Sequence, residues 1–424
     1  MAQADIARPV AVQERPRSER GQSDLFVAWA LIATHTMQHV YSRGFLVLLP
    51  FMMETLGIGY IAAGVMEAVR RISSGVASMG GGVITDRVQH LRGPILAGSI
   101  GLMGFGYLLI GVFPNYYVII IALGFAAAAG SIWHPPALGI LSQRFPERRG
   151  FYISLHRSAG NVGETIAPAV FGLLLGIIAW QAILWGVFPI AFGVAVFIMV
   201  YLRSIGGAKR VAVQGGDRTL GEQLSDIGRL FRYKSFVALL FVGGVRGIAD
   251  GAVLLFLPIY LRRELEMEAW AIGVYVSLLT AIAIFTGPVF GRMSDSWGRG
   301  RVIFMIMACS TVIVSLMIVY NDGLALAGLV ALAGVFMFSV NSLTQAGSMD
   351  MAEGLHLEGS MIGLLWGVNA MFGAMSPIVI GVLTEIYGLS VFFLYGAIFY
   401  AIGTLASLLL PGVLTRSGPA VGAK

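Results

Sequence analysis

Twelve apolar runs of about 20 residues or more, separated by Gly, Pro or clustered charge, limit most strongly what this chain can become. Inside hydrocarbon a backbone must satisfy its own hydrogen bonds, which leaves helices and closed barrels as the only spanning structures. Runs of this length fit helices, because about 20 residues cross about 30 Å of hydrocarbon. They fall at roughly 25–52, 58–81, 94–113, 117–142, 150–178 and 182–202, and then at roughly 235–261, 269–290, 301–320, 324–346, 359–385 and 389–411. Only 12% of residues are charged and 57% are hydrophobic, with mean hydropathy +0.82, whereas a soluble domain carries about a quarter charged residues. A soluble fold is excluded. The sequence predicts an all-α membrane protein with a tail over 1–24, a six-helix bundle over 25–202, a linker over 203–234, a second bundle over 235–411 and a tail over 412–424.

Basic residues set the expected orientation, because loops rich in Lys and Arg stay in the cytoplasm. Arg87 and Arg92, then Arg144, Arg148 and Arg149, then the stretch from Arg203 to Lys234, then Arg292, Arg299 and Arg301 share one side with both termini. The other side holds Arg262 and Arg263, diluted by Glu264, Glu266 and Glu268. Both termini are expected in the cytoplasm. Residues 1–24 mix Arg and acid without the apolar core of a secretory signal, so the first helix is expected to serve as its own insertion signal. The net charge of +6 is dispersed over short loops and does not form a nucleic-acid patch. The single cysteine, Cys309, excludes a disulfide or a cysteine metal cluster within the chain.

The two halves share an internal register. Gly82-Val-Ile-Thr-Asp86-Arg87 precedes the third helix and Gly291-Arg-Met-Ser-Asp295 precedes the ninth; 295 − 86 gives 209. Pro168 in the fifth helix and Pro377 in the eleventh give 377 − 168, again 209, while Pro50 and Pro258 give 208. Transporter folds are commonly built from such repeats, and an even number of helices per repeat keeps both halves parallel. The predicted fold is therefore twelve transmembrane helices in two parallel six-helix repeats.

The loop motif Gly82, Asp86, Arg87 resembles the Gly-x-x-x-Asp-Arg-x-Gly signature of the major facilitator superfamily, and Gly291, Asp295, Gly298 and Arg299 form a second copy. The carboxylate of such a motif either latches a neighbouring helix N-terminus or loop Arg, or simply marks a helix end among headgroups. Within the superfamily the chain is similar to the fosmidomycin-resistance-type exporters. That similarity rests on His35-Thr-Met-Gln38-His39-Val-Tyr41 with Leu49-Pro50, on Trp133-His134-Pro135, and on Gly160-Asn161-Val-Gly163 with Pro168. The chain departs from that branch at His39, where an acid is usual, at Trp133, where Phe is usual, and near Glu164. The superfamily resemblance implies that helices 1, 4, 7 and 10 line a central cavity while 3, 6, 9 and 12 are peripheral.

Charge inside a bilayer costs about 2.5–3.5 kcal/mol on the gentlest scale, so embedded ionisable residues face a cavity, a partner or a pathway. The candidates for substrate or proton binding are His35, His39, Arg43, Arg70, His134, Arg157, Glu164, Arg246, Asp250 and Asn369. Five arginines against three carboxylates, counting Arg71 and Glu67, point to an anionic substrate. His35, His39 and Arg43 share one helical face at i, i+4 and i+8, and suit proton handling, structural hydrogen bonding or, less well supported, a metal. Arg246 and Asp250 are either a neutralising salt bridge or a proton-sensitive pair that frees Arg246 for an anion. Arg70 and Arg71 project about 100° apart, so at most one is expected to face the cavity squarely, the other pairing with Glu67 or an adjacent helix. His134, before Pro135 and Pro136, reads as a hinge or a site; Glu164 as packing or a proton site; Asn341, Gln345 and Asn369 as weak polar candidates that also join helices.

No P-loop, nucleophile elbow, HExxH or dinucleotide fingerprint occurs, so neither an enzyme nor an ATP-driven pump is expected, and no cofactor or metal. The leading expectation is a monomeric secondary carrier of a bacterial inner membrane that couples a small organic anion to protons. An uptake porter for carboxylates or inorganic anions keeps the fold and changes the substrate. A non-transporting assembly scaffold would have no need of a charged cavity.

Overall fold

A computed structural model describes residues 23–145, 148–205, 219–351 and 358–413. The expected tails lie almost wholly outside the described residues, as do 206–218 of the linker and the side chain of Asp86. Every regular element among the described residues is helical.

The first half contains α1 (Asp24–Leu56), α2 (Tyr60–Arg87), α3 (Arg92–Val112), α4 (Tyr116–Ser131), α5 (His134–Arg144), α6 (Arg149–Leu175) and α7 (Trp180–Tyr201). A short helix, α8 (Leu220–Leu230), precedes the second half. There follow α9 (Lys234–Arg263), α10 (Ala269–Ala281), α11 (Ala283–Trp297), α12 (Arg299–Leu316), α13 (Gly323–Met337), α14 (Ser339–Met351), α15 (Glu358–Ala374), α16 (Ser376–Tyr387) and α17 (Val391–Ser407). Four pairs are single spans broken by one or two residues: α4 with α5, α10 with α11, α13 with α14 and α15 with α16. Joined, they give the expected twelve spans. Two breaks have a visible cause, since Pro135 and Pro136 open α5 and Pro377 opens α16, and proline lacks the amide hydrogen that would continue the ladder.

Local chemistry sets several ends. Ser23 and Asn115 side chains accept from the first amides of α1 and α4, and Thr219 with Glu222 closes a capping box on α8. Gly57 ends α1 in the left-handed region at φ 64°. Two boundaries differ from expectation. The Gly82–Arg87 motif forms the last turns of α2 instead of a loop, and Gly291–Asp295 lies inside α11, because neither stretch holds a residue that breaks the ladder. The linker also contains a helix: α8 puts Leu230 against Phe236, Leu240, Met361 and Leu365.

The repeat register is visible in the packing. A side chain on Gly64 of α2 would strike the Pro377 carbonyl of α16, and one on Gly273 of α10 would strike the Pro168 carbonyl of α6. Both partners are related by 209 positions, as 273 − 64 and 377 − 168 show. Small residues that let helix backbones touch are the usual means of association without a hydrophobic drive. At the same end Arg262 of α9 bonds Glu54 of α1 at 2.8 Å, joining the halves.

Candidate functional site

The site begins at the crossing of α1 and α6. Gly160 and Gly163 carry no side chain that would collide with His35, His39 and the Thr36 carbonyl, so α1 lies directly on α6. Thr36 fixes the crossing with a 3.0 Å bond to the Ala159 carbonyl. His35, 2% exposed, donates from Nδ1 to the His156 carbonyl at 2.7 Å, and its ring stacks on His156 at 3.7 Å. Its Nε2 lies 3.0 Å from Nε2 of His39. His39 Nδ1 is 2.8 Å from Glu164 Oε1, a charge contact whose N–H direction lies off the oxygen, and Arg43 Nη2 is 3.3 Å from Oε2. His134 stands edge-on to His35 and against Trp366 of α15, at 5.2 and 4.1 Å between ring centres.

Ring nitrogens of His35, His134 and His156 come within 4.8 Å of one another, which raises the question of a metal. His35 Nδ1 is committed to a carbonyl, and the His35 and His156 rings are stacked 3.7 Å apart with planes 9° apart, so their in-plane lone pairs lie in separate, nearly parallel planes that do not meet at one ion. Rings so placed do not suit tetrahedral ligation; His35 is hydrogen-bonded, while both ring nitrogens of His156 have no partner among the described residues.

Two further charged groups face this cluster. Glu67 of α2 takes both oxygens to Arg70 at 2.6 Å and accepts from Arg71 Nε at 2.8 Å. Arg71 reaches on to the Gly247 carbonyl of α9 at 3.4 Å, linking the halves. On α9, Arg246 Nη2 pairs with Asp250 Oδ2 at 2.9 Å and Nη1 bonds the Met337 carbonyl at 3.1 Å. Tyr400 of α17 donates to Asp250 Oδ1 at 2.5 Å.

These groups line one cavity of about 240 Å³ between the halves. Its wall carries five guanidiniums, from Arg43, Arg70, Arg71, Arg157 and Arg246, and three carboxylates, from Glu67, Glu164 and Asp250. Four of the five arginines have a carboxylate partner at 3.3 Å or less. Arg157 has no hydrogen-bond or ion-pair partner among the described residues. Tyr107, Phe338 and Trp366 supply apolar wall, and Arg43 lies over the Phe338 ring at 5.4 Å.

Nine of the ten candidate residues stand on this wall; His35 sits behind His39. Arg246 and Asp250 form the salt bridge that both readings of the pair contain. The expectation that at most one of Arg70 and Arg71 would face the cavity fails, because Glu67, three and four residues earlier, gathers both. The third and twelfth spans are less peripheral than expected, since α3 gives Met103 and Tyr107 to the wall and α17 gives Tyr400 to Asp250. Asn341 lines the cavity; Asn369 does too, but its amide bonds the Gly243 carbonyl at 2.8 Å. Glu67 was legible as a wall residue from its i+3 and i+4 arginines, whereas nothing in the pattern marked Trp366 or Tyr400. In the loop motifs, Arg87 is exposed, and Arg299 Nη1 lies 3.6 Å from Asp295 and 3.4 Å from Ser294 Oγ.

Two six-span halves enclosing a charged cavity describe the fold of a membrane transporter. The family profile of the Major Facilitator Superfamily matches residues 31–353, and the chain belongs to that superfamily. It is 23% identical over 372 residues to an uncharacterized MFS-type transporter, YfnC, of Bacillus subtilis (strain 168), covering 85% of this chain and 87% of that one. It is 24% identical over 400 residues to a probable 4-methylmuconolactone transporter of Cupriavidus pinatubonensis (strain JMP 134 / LMG 1197), covering 90% and 89%. The fold matches a bacterial homolog of the human lysosomal transporter Spinster, in an inward-facing and unoccupied conformation, with TM-score 0.76, 13% identity and coverage of 94% of this chain and all of that one.

Proposed function

We propose that this transporter is a proton-coupled secondary carrier that exports a small organic anion across a bacterial inner membrane, as a monomer with both termini in the cytoplasm. The observation that carries the substrate class is Arg157. Among the described residues it is the cavity guanidinium without a hydrogen-bond or ion-pair partner, where Arg43, Arg70, Arg71 and Arg246 are each held by a carboxylate. A guanidinium in such a setting presents a planar fork matched to a carboxylate or phosphate, and its desolvation is best repaid by an anion. The remaining candidate groups, His35, His39, Arg43, Arg70, His134, Glu164, Arg246, Asp250 and Asn369, would orient the anion or carry the proton.

Export rests on the resemblance to the fosmidomycin-resistance-type branch in the first, fourth and fifth spans. The motifs Gly82-Asp86-Arg87 and Gly291-Asp295-Arg299 would latch the cytoplasmic ends between the halves. Thermal stability of the purified chain against a panel of carboxylates and phosphates at two pH values tests the substrate class, because a ligand of the folded form raises its apparent stability. Stabilisation by anions, followed by flux of the best anion down an imposed pH gradient in proteoliposomes, is the expected outcome. Stabilisation by cations or neutral solutes alone would overturn it.

A further inference from the structure

Each cavity carboxylate has a different set of partners, and the difference locates the proton. Both oxygens of Glu67 are held by Arg70 and Arg71. Both oxygens of Asp250 are engaged as well, one by Arg246 and one by the hydroxyl of Tyr400. Protonating either would break bonds to donors that stay charged or protonated at any physiological pH. Glu164 is the one whose partners include an imidazole, a side chain that can both give and take a proton through its two ring nitrogens.

Building on the proton-coupled reading above, we infer that the His39–Glu164 contact is the proton-binding site of the carrier, and that His35 positions it by dictating which nitrogen of His39 faces the carboxylate.

A carbonyl oxygen only accepts, so His35 Nδ1, 2.7 Å from the His156 carbonyl, bears a hydrogen. Neutral His35 then offers a bare lone pair at Nε2. His39 Nε2 lies 3.0 Å from that lone pair, and the contact needs one hydrogen, which His39 supplies. With its Nε2 hydrogen so committed, neutral His39 would leave Nδ1 bare 2.8 Å from Glu164 Oε1, bringing an electron-rich nitrogen up to a carboxylate even though the in-plane direction at Nδ1 passes beside the oxygen. One further proton removes the conflict. It resides on His39 as imidazolium or on Glu164 as carboxylic acid, and either placement stores one proton per chain.

The surroundings keep that proton from dispersing. His39 faces His35 on its own helix, His134 of α5 and His156 of α6. Glu164 faces Arg43 of α1, Arg157 of its own helix and His134. From the second half, Arg246 of α9 shares the cavity, and α10 adds only hydroxyls, with Thr280 bonded to the Glu164 carbonyl at 3.2 Å and Ser277 to the Thr165 carbonyl at 2.6 Å. The proton therefore sits on or beside a residue whose own backbone carbonyl joins the halves, where its arrival and departure can bias their closure.

The test needs no substrate. The full chain is reconstituted in lipid vesicles, and infrared difference spectra are recorded between about pH 8 and about pH 5, the window in which imidazole changes charge. The wild-type chain is expected to show one carboxyl–imidazole protonation signal. Glu164→Gln and His39→Gln should each lose it, the second keeping the carboxyl in place should the first misfold, while Asp250→Asn retains it. Any other pattern overturns the assignment. His35→Phe keeps the ring stack and removes both nitrogens, and should move the pH profile of the signal without abolishing it; an unmoved profile removes His35 from its positioning role. A signal mapped to Glu164 and His39 in a chain that moves no anion would leave this site standing and remove the carrier reading. Proton-driven flux with the signal mapped elsewhere would remove this assignment alone.

Discussion

The carbonyl oxygen of Pro377 occupies the space into which a side chain on Gly64 would grow, and the Pro168 carbonyl does the same at Gly273. Two helix pairs thus meet backbone to backbone at symmetry-related points, close to the Glu54–Arg262 ion pair that joins the halves at that end. Replacing Gly64 or Gly273 by Val should force the helices apart at a cost of about 1–3 kcal/mol, the usual range for overpacking. Gly80, with open space around its Cα, is the matched control and should tolerate Ala. Thermal unfolding of the three variants checks this; equal midpoints for all would show that the seam yields freely.

Much of this seam was readable before any coordinates, because the Pro168 and Pro377 spacing already carried the repeat of 209. Hydropathy placed the spans, since lipid imposes length and apolarity on every helix. It did not place the interruptions between α10 and α11 or between α13 and α14, where no proline stands at the break. The charged wall was legible because embedded ionisable residues are costly and few. Their pairing was not: the sequence shows that Arg70, Arg71 and Glu67 are neighbours, but not that one carboxylate serves both arginines. Nor could it show Tyr400 reaching Asp250 across 150 residues, a contact that depends on how α17 packs on α9.

That shared carboxylate makes Glu67 the more consequential partner. Glu67→Gln leaves two guanidiniums buried with reduced compensation, and breaking a buried pair by removing one member costs about 3–5 kcal/mol. Glu67→Gln combined with Arg71→Met should recover part of the loss, since it removes one of the stranded charges. Chemical or thermal unfolding of the single and double variants measures both effects. A double variant less stable than the single would refute the pairing as the source of the loss.

Tyr400→Phe removes the hydroxyl that donates to Asp250 and leaves the ring in place. A hydrogen bond to a charged group contributes about 1.5–3 kcal/mol, so the variant should lose about that much. In an Asp250→Asn background the same change should cost less, because the acceptor is no longer charged. Additive losses in the double variant would mean that the 2.5 Å contact does not couple the two side chains.

Arg157 and Arg246 share the cavity and carry the same charge, yet their removal should have opposite signatures. Arg246→Gln strands Asp250 and should cost about 3–5 kcal/mol of stability. Arg157 forms no hydrogen bond or ion pair with a carboxylate among the described residues, so Arg157→Gln should change the stability of the ligand-free chain by less than about 1 kcal/mol. The loss appears instead in binding. A charge-assisted hydrogen bond of about 1.5–3 kcal/mol corresponds to a weakening of anion affinity by about tenfold or more. The thermal midpoint of each variant, with and without the anion that most stabilises the wild-type chain, separates the two roles. An Arg157→Gln chain that keeps the full anion-dependent shift would show that the anion is held elsewhere on the wall.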